Sequence, residues 1–198
     1  MVDIVKRIIT DILTALYHPF GFAIILAVLF MFLHLYAEEY GWKDAFVKWW
    51  SAFRRDVTFR KIFFLAFYTA MILFRTLLNR KLWLNPLSDV MAGWGLHNAK
   101  GEFSTESIEN LILFIPFIVL LFWTYRDKLL GNRKGFAGIL WQSTKITFLF
   151  SLGIEFAQLF LRLGTFQLSD LFYNTLGGTI GGILYYAGEK YHILNFKK

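Results

Sequence analysis

The apolar residues of this chain are blocked into runs of about the length that crosses a bilayer. The blocks are Phe20–Tyr36, Ile62–Leu78, Ser107–Trp123, Gly138–Leu163 and Leu171–Ala187. A segment inside hydrocarbon has no water to satisfy its backbone, which a helix satisfies internally. The expectation is an all-α, polytopic membrane bundle of about five spans. Composition agrees: 57% of the 198 residues are hydrophobic and the mean hydropathy is +0.49, too apolar for a soluble domain of this length. The longest polar stretch is too short to hold a soluble domain beside the spans.

What lies between the blocks sets the remaining architecture. Residues 2–16 place Ile4, Val5, Ile8, Ile9, Ile12, Leu13 and Leu16 on one helical face, against Asp3, Lys6, Arg7, Thr10 and Asp11. That pattern predicts an amphipathic helix that lies at the interface or leads into the first span, punctuated by Pro19 and Gly21. The first long apolar run ends in Tyr36-Ala37-Glu38-Glu39 without a small-x-small cleavage signal, so it reads as a retained span or a re-entrant hairpin. Residues 38–61 alternate aromatics (Trp42, Trp49, Trp50, Phe53) with Lys43, Lys48, Arg54, Arg55, Arg60 and Lys61. They predict a surface-lying helix with an aromatic belt and a basic flank. Ser104-Thr105 offers an N-cap to the third span, and Pro116 should kink it. Three regions follow: 1–61, a membrane core at 62–187, and a tail at 188–198.

The net charge of +7 sits between spans, which is a matter of topology and anionic lipid rather than nucleic acid. Thirteen Lys and Arg flank one side of the spans (37–61, 124–136 and the tail) and six the other. The positive-inside rule then puts the tail in the cytoplasm and the N-terminus outside. There is no Cys, hence no disulfide or thiolate chemistry, and His34 and His97 lack metal-ligand spacing. No metal or cofactor is expected.

Against this apolar background the intramembrane polar residues stand out. Gln158 and Arg162 lie within roughly 60° of Glu155 around a helix that turns about 100° per residue. Asp170 and Asn174 are four apart and share a face. Arg75 falls late in the second span and Asn110 early in the third, so the topology puts all seven toward the outer ends. Each has an ordinary explanation: an arginine that snorkels, a structural ion pair or a protonated acid at Glu155, an N-cap at Asp170, asparagines bonding neighbouring helices. Their gathering on one side is harder to explain that way, because ionisable groups in hydrocarbon are expensive and usually functional. Gly177-Gly178 with Gly181-Gly182 reads as small-xxx-small twice over, a signal of close helix packing.

Glu155-x-x-Gln158-x-x-x-Arg162, followed by Asp170-x-x-x-Asn174-Thr175-x-Gly177-x-x-x-Gly181, closely resembles the C-terminal signature of the VanZ-like family of bacterial membrane proteins. Asn110 with its apolar run to Pro116, and Arg75 late in its span, are similar to that family's other elements. The resemblance covers roughly Ile62–Ala187, and residues 1–61 carry no part of it. The family commonly shows a Gly soon after the Pro, where this chain has Ile118 and Val119. The resemblance implies a plasma-membrane protein and a link to low-level teicoplanin resistance.

The expected function is non-enzymatic: an outward-facing polar pocket formed by Arg75, Asn110, Glu155, Gln158, Arg162, Asp170 and Asn174. It would bind a membrane lipid, a lipid-linked cell-wall intermediate or the glycopeptide. Arg75 and Arg162 would take phosphate or carboxylate as bidentate donors. The alternatives are an enzyme on lipid-linked phosphate or sugar with Glu155 or Asp170 as general base, and a structural partner-binding module.

Overall fold

The computed structural model describes residues 2–36, 41–78, 84–97, 101–132 and 134–191. Expectations that involve Glu38, Glu39, Arg80, Lys81, Lys100, Arg133, Lys197 or Lys198 lie outside them. The described residues form six α-helices and one π-helical turn, with no strand. They are α1 (Val2–Tyr36), α2 (Trp42–Arg55), α3 (Val57–Leu73) with the π turn Phe74–Leu78, α4 (Glu106–Leu130), α5 (Phe136–Leu161) and α6 (Leu168–Lys190). The all-helical expectation holds. Val57–Leu77, Glu106–Leu130 and Phe136–Leu161 are each long and apolar enough to cross a membrane. Within α1 the apolar stretch Ala23–Phe32 is shorter. The chain is a helical membrane protein.

Several boundaries differ from the sequence expectation. Helix α1 runs unbroken through Pro19 and Gly21. A proline removes one backbone bond, a loss that membrane helices tolerate where a broken helix would strand many more. At about 1.5 Å per residue, its 35 residues make a rod of roughly 50 Å, longer than the roughly 30 Å hydrocarbon core. Its first half is not a free interfacial helix. Arg7 stands over the Phe103 ring at 5.3 Å, and Asp11 accepts from the Thr105 hydroxyl at 2.9 Å. The basic segment 38–61 also divides. Asp56 closes α2 and caps α3, accepting from Thr58 N at 2.7 Å, so residues 57–61 belong to α3 rather than to the surface helix. In α4 the non-helical dihedrals fall at Tyr125 (φ −121°, ψ 31°), not at Pro116. Next to it, the Thr124 hydroxyl donates back to Leu120 O at 2.8 Å, a bond that bends helices.

The core is built around α6, and glycine is the reason. A Cβ on Gly177 would lie 2.0 Å from Leu111 O, and one on Gly181 2.5 Å from Ile115 O. On the adjoining face, a Cβ on Gly178 would lie 1.9 Å from Thr147 Oγ1, and one on Gly182 2.3 Å from Ser143 Oγ. One glycine pair therefore receives α4 in parallel and the other receives α5 antiparallel. Ile118 fills the space beside Gly181, so a glycine soon after Pro116 is not needed for the close approach. Thr144 and Thr179 add a hydroxyl bond between α5 and α6 at 2.8 Å. Phe114, Ile118, Phe122, Ile139 and Tyr185 complete the buried core. At the opposite end from the polar residues, Arg126 on α4 pairs with Glu189 on α6. A second cluster, Met31, Trp49 and Phe59, ties α1, α2 and α3 together.

Candidate functional site

The α5–α6 register defines the site. Ser143, Thr147 and Ser151 step along α5 opposite Gly182, Gly178 and Asn174 on α6. One further step of four residues falls on Glu155 and Asp170. Where the glycines end, the polar residues begin. Asn174 Nδ2 donates to Ser151 Oγ at 2.9 Å. From α4, Asn110 Nδ2 donates to Asp170 Oδ1 at 2.8 Å. Glu155 Oε2 accepts from the Gln167 backbone N–H at 2.9 Å. Gln158 Nε2 donates to Thr76 O in the π turn at 2.7 Å. Glu155, Gln158, Asn174, Asn110 and Asp170 are 1, 2, 3, 4 and 6% exposed. Asp170 is the third residue of α6, whose N-cap position is Gln167 without a side-chain cap, so its carboxylate serves Asn110.

The cluster has a roof. The segment 84–97 folds back over the α5–α6 turn, with Phe166 N donating to Pro86 O at 2.8 Å and Leu168 N to Val90 O at 3.0 Å. Ser169 Oγ donates to Ala92 O at 2.7 Å, and Ser107 Oγ to Gly93 O at 2.8 Å. Gly93 has φ +79°, and a Cβ there would lie 2.7 Å from Ser169 Oγ. Trp94 leans on Phe172 and Tyr173. It is an anchor for this loop.

Arg75 and Arg162 behave differently from the five buried residues. Arg75 Nη2 donates to Glu109 Oε2. Glu109 Oε1 accepts from Thr105 Oγ1 at 2.7 Å, and the same hydroxyl reaches Asp11 Oδ2 at 2.9 Å. This chain of α1, α4 and the π turn was not anticipated. Glu109 lies in the first turn of α4 and directly precedes Asn110. Arg162 is exposed and does not reach Glu155. It occupies the αL position after α5 (φ 55°, ψ 38°). Its own N–H donates to Leu159 O at 3.4 Å, and that of Leu163 to Gln158 O at 2.9 Å. This is a Schellman cap with arginine where glycine is usual. Among the described residues its side chain makes no ion pair.

Two chemical properties follow. Gln158 Oε1, Asn174 Oδ1 and Gln167 Oε1 are buried without a donor, so the cluster is short of donors rather than acceptors. The adjoining cavity, about 630 Å³, is apolar and lies between α1, α3, the π turn and the end of α5. None of the seven residues singled out from the sequence lines it. Among the described residues no group of three or more His, Cys, Asp or Glu could hold a metal.

Glycine-packed helices with a buried polar cluster at one end define a polytopic helical membrane protein, not a soluble enzyme domain. The VanZ/LLP1 family model matches residues 15–189, and the chain belongs to that family. The match reaches back into α1, further than the motifs did. Protein VanZ of Enterococcus faecium is 34% identical over 100 residues, which are 50% of this chain and 54% of that protein. The chain thus spans about half the length of the curated relative it matches. No solved structure matches it.

Proposed function

We propose that this protein is a non-enzymatic envelope protein that holds the polar headgroup of a lipid or lipid-linked cell-wall precursor at the outer leaflet. The observation that carries the reading is the burial of Asn110, Glu155, Gln158, Asp170 and Asn174 at one bundle end with amide oxygens left unpaired. Unpaired acceptors beside two carboxylates suit hydroxyl- or amine-bearing groups. The outward placement follows from the distribution of basic residues, which puts the α6 end of the chain in the cytoplasm. A bound precursor headgroup would also connect the protein to glycopeptide sensitivity, including the teicoplanin link implied by the resemblance.

Mass spectrometry of lipids from cells with and without the protein, and of lipid co-purified with it, tests the reading. A binding protein retains a lipid without altering it, and Glu155→Gln weakens that retention by degrees. The opposition of Glu155 and Asp170 along one register favours a second reading, acid–base chemistry on a lipid-linked phosphate or sugar. A covalently altered lipid that disappears in Glu155→Gln would replace the first reading with the second.

A further inference from the structure

The apolar cavity and the exposed arginine adjoin one another. We propose that together they form the seat of an anionic phospholipid, with one acyl chain in the cavity and the phosphate on Arg162. This rests on the headgroup-binding reading and extends it to a class of lipid.

The lining sets the occupant of the cavity. Ala27, Leu65, Leu73, Leu77, Leu161 and Leu163 are among its walls, and the Thr69 hydroxyl there is already committed to Leu65 O at 2.8 Å. Water needs two to four polar partners to stay in such a space, so hydrocarbon suits it better. Along α3 and the π turn the lining residues run from Ile62 to Leu77, about 22 Å at 1.5 Å per residue. That exceeds half of a roughly 30 Å hydrocarbon core, so an extended chain from one leaflet fits.

The charge sets the headgroup. Leu161 and Leu163, both in the cavity wall, are the chain neighbours of Arg162. Arg162 therefore sits in the chain between two wall residues, exposed and without an ion pair among the described residues. The planar fork matches a phosphate bidentately. A residue held in αL where glycine is usual is a reason to look for function there.

The test is native mass spectrometry of the full chain in mild detergent, titrated with dioleoyl phosphatidylglycerol or dioleoyl phosphatidylcholine. Wild type should bind the glycerol lipid with a Kd at least tenfold lower. Arg162→Gln should bring the two lipids within twofold of each other while still binding both. Ala70→Trp, which fills the cavity, should lose both lipids at least tenfold. A second measurement that does not depend on a variant folding is the dihexanoyl form of the glycerol lipid on wild type, which should bind at least tenfold more weakly than the dioleoyl form. Equal binding of the two headgroups by wild type, an unchanged preference in Arg162→Gln, or indifference to chain length would overturn the proposal. Displacement of the glycerol lipid by a polyisoprenyl phosphate at lower concentration would overturn the acyl assignment. Glu155→Gln separates this seat from the buried cluster. An unchanged preference there keeps the Arg162 seat and removes the cluster from headgroup recognition. Loss in Glu155→Gln with retention in Arg162→Gln does the reverse.

Discussion

Asn110 on α4 donates an amide hydrogen to the carboxylate of Asp170 on α6 at 2.8 Å, sixty residues along the chain, with both side chains buried. The bond fixes the α4–α6 pair at the site end, and hydrogen bonds to charged groups are worth about 1.5–3 kcal/mol net. Asn110→Ala should lower stability by about that amount in detergent thermal unfolding. Asn110→Asp should cost more, because it sets a second carboxylate against the first. Equal stability of the Asp variant would mean that Asp170 has other donors sufficient for it.

The two glycine pairs of α6 should differ in how they can be repaired. Gly177→Ala drives a methyl into the backbone of Leu111, which cannot yield without moving α4. Gly178→Ala meets a side chain, Thr147. Overpacking of this kind costs about 1–3 kcal/mol or more. Thr147→Ala should restore part of the loss in Gly178→Ala, not all, since the Thr147 Cβ is itself 2.6 Å from the added atom. It should restore nothing in Gly177→Ala. A double-mutant cycle on melting temperature reads both.

Arg162→Gly should stabilise the protein, by about 1 kcal/mol, because glycine adopts αL without the Cβ conflict. Scanning calorimetry or a thermal-shift series measures it. The sequence suggests the opposite, a loss on removing a buried ion-pair member, but among the described residues Arg162 has no such partner. An envelope phenotype lost in a variant that melts higher would separate function from folding cleanly.

Thr105→Val keeps the shape of the side chain and removes the hydroxyl that joins Asp11 to Glu109. The first half of α1 should then loosen, and hydrogen exchange in residues 2–13 should rise several-fold while α5 and α6 are unchanged. Asp11→Asn retains a hydrogen-bonding group and should have a smaller effect. Unaltered exchange in Thr105→Val would assign the docking of α1 to its apolar contacts alone.

Orientation has its own test. Cysteines introduced into this Cys-free chain at Lys100 and Lys134 should label from opposite sides with an impermeant reagent, Lys100 from outside. Labelling of both from one side would refute the span order.

The helices of the second, third and fourth apolar blocks were legible because apolar length and helical period are local properties of the sequence, whereas among the described residues neither Ala23–Phe32 in α1 nor α6 reaches the length and apolarity of a span. The α2–α3 boundary was missed: Asp56, two residues before Thr58, is a capping residue by type, but the run of basic and aromatic residues around it reads as one surface helix. Glycines at 177 and 178 are about 100° apart around a helix, so their service to two different neighbours could have been read from spacing. The partner of Arg75 could not. Glu109 lies 34 residues away, and an acid in a first helical turn has a sufficient local explanation. Nor could the roof formed by residues 84–97, since backbone bonds such as Leu168 N to Val90 O leave no residue signature. Arg162 was misplaced for a different reason: helical-wheel geometry stops applying one residue earlier, at Leu161.

Because the bare backbone of α6 meets the main chain of α4 at Leu111 and Ile115 and the short side chains Ser143 and Thr147 of α5, neither neighbour can slide or roll against it without a steric clash. Those three helices are the stationary part of the molecule. Across the apolar space, the cavity walls contributed by α1 and α3 are long side chains such as Leu26, Phe30 and Leu73. A molecule entering from the bilayer would therefore meet least steric resistance on the α1–α3 side, where side chains rather than backbone line the space.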